Sequence, residues 1–119
     1  MVKKNIGKIG EDAVCNKLIN EGYVILVRNY SVHNVGELDI VATKGPDVYV
    51  VEVKARSSRN SDYGTPESFI TRSKMGKMRR TIGHLLNDYK LYGRNVTILA
   101  GSVLHDGKGN VISVELIEI

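Results

Sequence analysis

Hydrophobic residues recur along the chain with two different spacings. In two segments they return every three or four positions, as on one face of a helix, and elsewhere they alternate or cluster in short runs, as in strands. The predicted order is helix, three strands, helix and two strands, which favours an α/β (α+β) arrangement with one sheet between two helices. The predicted segments are, in this order, 5–20, 23–30, 38–43, 48–55, 72–92, 96–104 and 111–119.

An acidic residue lies on the apolar face of the first predicted helix, which Asn5 can cap and Gly22 can end. At about 100° per residue, Glu11 projects into a stripe of apolar side chains. The members of this stripe are Val14, Cys15, Leu18 and Ile19. A carboxylate in such a place needs a partner or a metal ion, although the helix dipole near the N-terminus also favours acids. The sequence leaves these explanations open.

Residues 36–56 predict a β-hairpin, because two apolar-alternating runs flank a turn-forming Lys-Gly-Pro-Asp segment. A symmetric loop at this turn places Asp39 opposite Glu52, and Glu37 opposite Lys54. These four side chains share one face of the hairpin, because strand side chains alternate. The other face is predicted to be an apolar core face, formed by Leu38, Ile40, Ala42, Tyr49, Val51 and Val53.

The opposed carboxylates of Asp39 and Glu52 are unfavourable in a sheet. Directly opposed residues have Cβ atoms about 5 Å apart, and two negative charges at that distance repel by about 3 kcal/mol at an effective dielectric constant of about 20. Either one acid is protonated, or the register differs, or a cation lies between them, and we favour the cation. The neighbouring pair of Glu37 and Lys54 has an ordinary explanation as a cross-strand salt bridge.

Positive charge is concentrated at the start of the second predicted helix, which can begin at Pro66 or at Thr71. Within segment 72–92, five basic residues precede the first acid, Asp88, namely Arg72, Lys74, Lys77, Arg79 and Arg80. Because cations are unfavourable at a helix N-terminus, a phosphate partner would explain the cluster, and a solvated basic face is the alternative. The preceding loop, 56–66, adds Arg56 and Arg59, which could grip a nucleic-acid backbone.

Length and composition fit a single folded domain spanning residues 1–119. Hydrophobic residues make up 42% of the sequence and charged residues 25%, as in folded soluble proteins. The net charge of +4 permits a polyanionic partner without requiring one. The single cysteine, Cys15, excludes an internal disulfide bond, and its apolar neighbours predict a packed thiol. The longest apolar run, 23–27, is too short to span a bilayer, so we expect a cytoplasmic protein without membrane contact.

Three acids and one lysine form a candidate catalytic set, in which Glu11, Asp39 and Glu52 could bind a metal and Lys54 could assist. Oxygen ligands suit Mg²⁺ or Mn²⁺, and the sequence has no cluster of histidine or cysteine residues that would favour zinc. Such an ion would polarise a phosphodiester and stabilise the charge that develops on it. Lys54 follows Glu52 by two positions and lies on the same side of its strand, where it could hold or deprotonate a water molecule.

The spacing between Asp39 and the Glu-Val-Lys segment at 52–54 fits the PD-(D/E)XK nuclease signature. A longer pattern, in the same order along the chain, resembles the bacterial YraN family, which is grouped by similarity with archaeal Holliday-junction-resolvase-like nucleases. The matching motifs are Gly7-x-x-Gly10-Glu11, Gly22-Tyr23, Arg28-Asn29-Tyr30, Gly36-Glu37-Leu38-Asp39, Val51-Glu52-Val53-Lys54-Ala55-Arg56, Tyr63-Gly64-x-Pro66 and Thr71-x-x-Lys74.

The resemblance implies a restriction-endonuclease-like core, with a central mixed five-stranded sheet flanked by helices. It implies Glu11, Asp39 and Glu52 as metal ligands. It also implies Lys54 as the catalytic lysine and Lys74 as a supporting basic residue on the following helix. The usual activity of such proteins is divalent-metal-dependent hydrolysis of DNA. Resolvase relatives act as dimers, which makes a homodimer a candidate assembly.

The sequence departs from the family pattern in two places. Segment 31–35 lacks the arginines expected just before the Gly-Glu pair, and segment 95–98 lacks an expected aspartate. The segment expected to contact the substrate and the C-terminal strands therefore match the family pattern less closely than the acidic residues do.

The sequence thus predicts an endonuclease that acts on DNA rather than RNA, with branched or damaged DNA as candidate substrates. The alternative is a non-catalytic nucleic-acid-binding or scaffold protein with the same fold, and a protein-interaction module is a third class. A catalyst needs Asp39, Glu52 and Lys54 together, whereas a binder keeps its affinity without them. The residues predicted to hold the nucleic acid are Arg56, Arg59, Arg72, Lys74, Lys77 and Arg80.

Overall fold

The computed structural model describes residues 5–59 and 70–119. Its helices and strands follow the predicted order, and their bounds are α1 Ile6–Asn20, β1 Val24–Val32, β2 Gly36–Lys44, β3 Asp47–Ser57, α2 Arg72–Asp88, β4 Val96–His105 and β5 Val111–Glu118. Both predicted helix caps are confirmed, because the side chains of Asn5 and Thr71 accept hydrogen bonds from backbone N–H groups in the first turns. The other predicted start of α2, Pro66, lies outside the described residues, as does most of the loop before it.

The strands form one mixed sheet in the order β1-β2-β3-β4-β5. Neighbouring strands are antiparallel except for β3 and β4, which are parallel and are joined by a connection that contains α2. Parallel neighbours need such a crossover, usually a helix. Helix α1 packs on one face of the sheet and α2 on the other. The predicted architecture, with one mixed sheet between two helices, is confirmed.

Each helix buries its own apolar cluster against the sheet. The cluster under α1 consists of Val14, Cys15, Leu18, Ile40, Ala42, Val51, Leu99 and Val103. The cluster under α2 consists of Leu38, Val41, Val48, Val50, Met78, Ile82 and Leu85. Gly10 permits the close approach of α1, since a Cβ there would lie 3.3 Å from the Cβ of Ala55 in β3. The central strands β2 and β3 contribute to both clusters because their side chains alternate between the two faces.

The β2–β3 hairpin has the predicted register along most of its length. Ile40 pairs with Val51, and Lys44 pairs with Asp47 at the turn. Gly45 adopts a φ of +59° in this turn, a conformation that glycine reaches without strain. The turn chemistry therefore fixed the register as expected.

The two strands diverge beyond the Ile40–Val51 pair, towards the start of β2, so the predicted ladder pair of Asp39 and Glu52 is not formed. Glu37 pairs with Ser31 of β1 on one edge of β2, and it has no ladder partner in β3 on the other edge. Within the described part of the chain, neither Glu37 nor Lys54 belongs to an ion pair. The predicted cross-strand pair of these two residues is wrong, because the ladder ends before it.

Leu38 lies on the opposite face from the one predicted. It belongs to the cluster under α2, whereas Ile40 belongs to the cluster under α1. The same change occurs in β1, where Arg28 contacts α1 and Tyr30 packs against the cluster under α2. Asn29, between them, has a left-handed φ of 54°, which turns the strand and moves the following side chains to the other face. The simple alternation on which the prediction rested fails at this point.

Candidate functional site

Asp39 lies where β2 and β3 separate. Its Oδ2 accepts a hydrogen bond of 2.8 Å from the backbone N–H of Val53, so the side chain satisfies a donor that a continued ladder would have satisfied. The bond fixes the Asp39 carboxylate beside β3, next to the residue that precedes Val53. That residue is Glu52, and the structure thus brings the two predicted acids together.

Glu52 is a buried acid of β3, with 7% of its surface exposed. Its Oε1 lies 2.8 Å from Nζ of Lys74, a residue of α2, in an ion pair. Its Oε2 is buried and has no hydrogen-bond partner among the described residues. Because a buried carboxylate oxygen without a partner is unfavourable, this atom suits an additional cation.

Burial raises the pKa of both acids. For Asp39 the loss of solvation outweighs the hydrogen bond from Val53, and the negative charge of Glu11 raises the pKa further. For Glu52 the loss of solvation outweighs the hydrogen bond from Lys74, and the negative charge of Asp39 adds to the rise in pKa. Both carboxylates therefore ionise less readily than exposed acids, and a bound cation would favour their ionised forms.

Glu11 has a basic partner within its own chain. Nε of Arg28 donates to Glu11 Oε1 at 2.9 Å, and Nδ2 of Asn29 donates to the same oxygen at 3.1 Å. Arg28 is held in turn by Asp12, whose Oδ1 accepts from Nη2 at 2.6 Å. The Glu11 side chain is only 14% exposed. Of the explanations that the sequence left open, a protein partner is the one that the structure contains.

Sequence reasoning missed Arg28 and Asn29 as part of this arrangement. Arg28 is the only charged residue of segment 23–30, and a charge on a half-buried strand needs a partner. An unpaired acid on a helix face and an unpaired base on a strand were therefore both visible in the sequence. Their match could not be read from either segment alone.

Only two of the three predicted metal ligands, Asp39 and Glu52, lie side by side in the structure. Asp39 and Glu52 are neighbours, and Glu11 is close enough for its charge to raise the pKa of Asp39. In residues 5–59 and 70–119, however, no three acidic, histidine or cysteine side chains are close enough to hold a metal ion together. A metal bound by all three acids would need an adjustment of Glu11.

A cleft of about 420 Å³ opens beside Glu52. Among the residues that line it are Glu37, Glu52, Thr71, Ser73, Lys74 and Lys77. Two of the predicted basic residues, Lys74 and Lys77, therefore face the acids. Lys54 is exposed, and strand alternation places it on the side of β3 that carries Glu52. Hydroxyl groups, ammonium groups and the start of α2 make this cleft suitable for a phosphate group.

The other predicted basic residues lie elsewhere on the described surface. Arg72 lines a second cavity, of about 500 Å³, along α2. Arg80 is exposed on α2, and Arg59 is exposed just after β3. Arg56 is half-buried near the end of β3. The predicted basic set is thus spread over α2 and the end of β3 rather than collected in one pocket.

Cys15 is a buried residue of α1, and burial raises the pKa of its thiol. An enclosed, protonated thiol is a poor nucleophile, so Cys15 belongs to the core, as predicted. Across the described residues, no helix is both long enough and apolar enough to cross a bilayer.

Solved structures with a similar chain path cover most of this chain at low sequence identity. An fdxN element excision controlling factor protein from Anabaena variabilis is 15% identical, with a TM-score of 0.46, and the match covers 90% of this chain and 98% of that chain. A repair endonuclease from Pyrococcus abyssi is 18% identical, with a TM-score of 0.43, and the match covers 91% of this chain and 42% of that chain. Both overlaps are too loose for a comparison of individual residues.

Sequence relatives match nearly the whole chain. A UPF0102 protein from Moorella thermoacetica is 36% identical over 118 residues, which are 99% of this chain and 96% of the relative. A UPF0102 protein from Dictyoglomus turgidum is 34% identical over 115 residues, which are 97% of this chain and 95% of the relative. The family described as "Uncharacterised protein family UPF0102" matches residues 10–114. The chain therefore belongs to the UPF0102 (YraN) family, as its motifs predicted.

Proposed function

We propose that this protein is a divalent-metal-dependent endonuclease that hydrolyses DNA phosphodiesters. The observation that carries the proposal is the pair formed by the buried acid Glu52 and the half-buried acid Asp39 at the open end of the β2–β3 hairpin. Both have a raised pKa, and Glu52 Oε2 is buried without a partner among the described residues. Two such acids are unfavourable for the fold alone, whereas a divalent cation would replace their repulsion with ligation.

The side chains that would hold Mg²⁺ or Mn²⁺ are Asp39, Glu52 and Glu11. Their ligand atoms are carboxylate oxygens, which these hard ions prefer, and the unpartnered Glu52 Oε2 fits this chemistry. When bound, the ion supplies Lewis acidity towards the phosphodiester. Lys74 already holds one oxygen of Glu52, and Arg28 one oxygen of Glu11, so each acid keeps its second oxygen for a ligand.

Lys54 and Lys74 would act on the reacting phosphate and its nucleophile. Lys54 is exposed on the side of β3 that carries Glu52, where its Nζ can hold the attacking water by a hydrogen bond or, as the neutral amine, accept its proton. Lys74, which is paired with Glu52, can also donate to a phosphate oxygen and stabilise the charge that develops there.

The substrate would lie against α2 and the end of β3. Lys77 lines the cleft beside Glu52, and Arg56, Arg59, Arg72 and Arg80 are the further candidates for phosphate contacts. Such contacts bind the backbone without reading base sequence, and they weaken as salt rises. The preference for DNA over RNA, the choice of branched or damaged DNA and a homodimeric assembly are carried over from the resemblance to resolvase-like nucleases.

A non-catalytic nucleic-acid-binding or scaffold protein is the alternative function. It is favoured by the basic side chains that neutralise two of the acids, Lys74 at Glu52 and Arg28 at Glu11. Acids that are paired within their own chain can remain ionised without a metal. Such a protein would bind DNA through the basic residues of α2 and would not cleave it.

Cleavage assays distinguish these two functions. The protein would be incubated with Mg²⁺ or Mn²⁺ and with four-way junction, flap or single-stranded DNA, as the wild type and as D39N, E52Q and K54Q. D47N is the matched control, because Asp47 lies at the turn end of the same hairpin. We expect the wild type and D47N to cleave DNA, and each site variant to lose about 100-fold or more in rate.

Two other outcomes would contradict the endonuclease. Salt-dependent DNA binding that is unchanged in D39N and E52Q, without cleavage by the wild type, would support the alternative function. The absence of both binding and cleavage would contradict both functions and favour a protein-interaction module.

A further inference from the structure

Helix α2 carries basic side chains on two edges of its exposed surface, Lys77 on one edge and Arg72 and Arg79 on the other. We infer that this surface of α2 enters the major groove of duplex DNA, so that each basic edge contacts one of the two phosphate backbones. The inference rests on the nucleic-acid substrate proposed above and names its form, a B-form duplex. It also adds Arg79 to the residues that contact the nucleic acid.

The two basic edges of α2 point in nearly opposite directions. At about 100° per residue, Arg79 points about 160° away from Lys77 around the helix axis. Lys77 lines the cleft beside Glu52, whereas Arg72 and Arg79 line the cavity of about 500 Å³ along α2. Because Arg72 and Arg79 are seven positions apart, they share one edge of the helix and lie about 10 Å apart along its axis. The basic surface therefore extends along the helix as well as across it.

The charges on both edges are not neutralised by ion pairs. Within residues 5–59 and 70–119, none of Arg72, Lys77 and Arg79 belongs to an ion pair. The sequence of α2 has no acid before its last residue. One acid does line each neighbouring cavity, Glu37 near Lys77 and Glu118 near Arg79, but no salt bridge joins it to the basic side chain among the described residues. Both edges are therefore available to phosphate groups.

The surface between the two edges is low, and its residues are Ser73, Gly76, Arg80 and Gly83. Arg80 lies along the helix beside Gly76, since a Cβ at Gly76 would be 3.7 Å from Nη1 of Arg80. A glycine inside a helix is less stable than an alanine. Apart from its chain neighbours and the adjacent backbone of its own helix, a Cβ at Gly83 would meet no atom of the described residues within 4 Å. The fold therefore does not require Gly83, whereas close approach of another molecule would.

The dimensions of this surface match the major groove of B-form DNA. The groove is about 12 Å wide and admits an α-helix, whose diameter with side chains is about 10–12 Å. Phosphates line both sides of the groove, so Lys77 would contact one backbone while Arg72 and Arg79 contact the other. Arg80, between the edges, could donate two hydrogen bonds to a guanine edge. The backbone on the Lys77 edge would then lie next to the cleft beside Glu52, where the proposed reaction takes place.

Binding in the major groove predicts a preference for duplex DNA over duplex RNA. The major groove of A-form RNA is deep and too narrow for side chains to read. Both duplexes carry phosphate charges, so a basic surface that only attracts phosphates would bind both of them. The ratio of the two affinities therefore separates insertion of α2 from attraction by charge alone.

The first test compares nucleic acids by fluorescence anisotropy, in the presence of a chelator that prevents metal-dependent cleavage. The probes are a labelled DNA duplex, an RNA duplex of matching sequence, and the same DNA with a bulky group on C5 of its cytosines. This group occupies the major groove and leaves the phosphates unchanged. We expect the protein to bind the plain DNA duplex at least about 10-fold more tightly than either other probe. Equal affinity for the DNA and RNA duplexes, or no effect of the C5 group, would overturn the inference.

The second test uses variants of both edges, R72Q, R79Q and K77Q, with K8Q as the charge control. Lys8 lies on α1, across the sheet from α2. Each edge variant should bind the DNA duplex about 3- to 10-fold more weakly, and its affinity should depend less steeply on salt, with a slope smaller by about 1. K8Q should bind as the wild type does. Wild-type affinity in both R79Q and K77Q would overturn the inference.

A variant without a change of charge tests the close approach of DNA to α2. Gly83→Leu adds a side chain between the edges, and leucine is a good helix former, so thermal unfolding should find the variant at least as stable as the wild type. We expect it to bind the DNA duplex about 10-fold more weakly, because the added side chain holds the groove away from the helix. A stable Gly83→Leu variant with wild-type affinity would contradict insertion of α2.

The outcomes separate this inference from the proposed endonuclease. If the wild type cleaves DNA with Mg²⁺ while R79Q, K77Q and Gly83→Leu keep wild-type affinity, the inference is wrong and the endonuclease stands. If the wild type binds duplex DNA as described and cleaves no DNA with Mg²⁺ or Mn²⁺, the inference stands and the endonuclease is wrong. A wild type that does not bind duplex DNA would overturn the inference.

Discussion

The position of one side chain, Asp39, determines the geometry of the candidate site. Its Oδ2 takes the N–H of Val53, and the β2–β3 ladder has ended by this point. The open end of the hairpin leaves room for a cleft beside Glu52. Asp39 thus accepts the hydrogen bond of a backbone N–H that has no partner in β2, and at the same time it brings a negative charge to the site.

We predict that Asp39→Asn stabilises the metal-free protein, by on the order of 1 kcal/mol. Asparagine keeps an oxygen that can accept from the N–H of Val53, and it removes the charge that burial and Glu11 make unfavourable. Asp39→Ala also removes the acceptor and should cost about 1–3 kcal/mol. Chemical denaturation in the presence of a chelator measures both variants. Equal destabilisation by the two substitutions would show that the charge is not the unfavourable component.

Part of the site could be predicted residue by residue. Asp39 and Glu52 stood out because the register predicted from the turn placed two acids opposite each other. The structure brings them together beyond the end of the ladder, through the hydrogen bond from Val53 N–H to Asp39. The hydrogen bonds from Arg28 and Asn29 to Glu11 could not be predicted in the same way. Arg28 lies on a different element, and its alignment depends on the left-handed backbone of Asn29. Such a conformation follows from tertiary packing rather than from the local pattern.

At the scale of elements, the cleft depends on the close packing of α2 against the start of β2. A Cβ at Gly36 would lie 2.7 Å from Oγ1 of Thr81. Thr81 is fully buried, and its hydroxyl donates to the carbonyl oxygen of Lys77 at 2.8 Å. Lys77 and Lys74 lie about one and two turns before Thr81 on the same side of α2, so this contact also brings their amines to the cleft.

We predict that Gly36→Ala destabilises the protein by about 1–3 kcal/mol, because the added methyl group separates α2 from β2. Thr81→Ala in the same chain should recover much of this loss, since it removes the atom that the methyl group meets. Gly83→Ala is the matched control on α2. Apart from its chain neighbours and the adjacent backbone of its own helix, no atom of the described residues lies within 4 Å of its added Cβ, and alanine favours the helix by up to about 1 kcal/mol. Equilibrium unfolding that finds Gly36→Ala as stable as the wild type would contradict this packing.

Element order and turn chemistry could be predicted, whereas several element ends could not. β1 continues to Val32 and β3 to Ser57, past the end of their apolar runs, because strand pairing satisfies the backbone whatever the side chains. α2 ends at Asp88 rather than at 92, and Lys90 has a left-handed φ of 54° just after it. Hydrophobic periodicity does not record such backbone changes.

At the scale of the whole molecule, the sheet separates two apolar clusters, and the acids collect where both helices approach the open end of the hairpin. The charge of Glu11, on α1, raises the pKa of Asp39, and the charge of Lys74, on α2, lowers it. The sequence predicted both helices and both apolar faces from their periodicity. It could not predict this meeting point, because that depends on how the helices cross the sheet.

We predict that the acids make metal-free stability fall as pH rises. Because the folded-state pKa values of Asp39 and Glu52 lie above the ordinary values of 3.8 and 4.5, folding takes up protons. Their contribution is fully present below the ordinary values and is lost as pH rises through the raised ones. Relative to a D39N/E52Q variant, the unfolding free energy of the wild type should therefore decline from about pH 4.5 upward. A difference that does not change with pH would contradict the raised pKa values.

Calorimetric titration of Mn²⁺ into the metal-free wild type, D39N and D47N shows whether Asp39 and Glu52 form a site for a divalent cation. We predict that the wild type binds Mn²⁺, that D47N binds with the same affinity, and that D39N loses the binding. No binding to the wild type, or binding to D39N with wild-type affinity, would contradict the account.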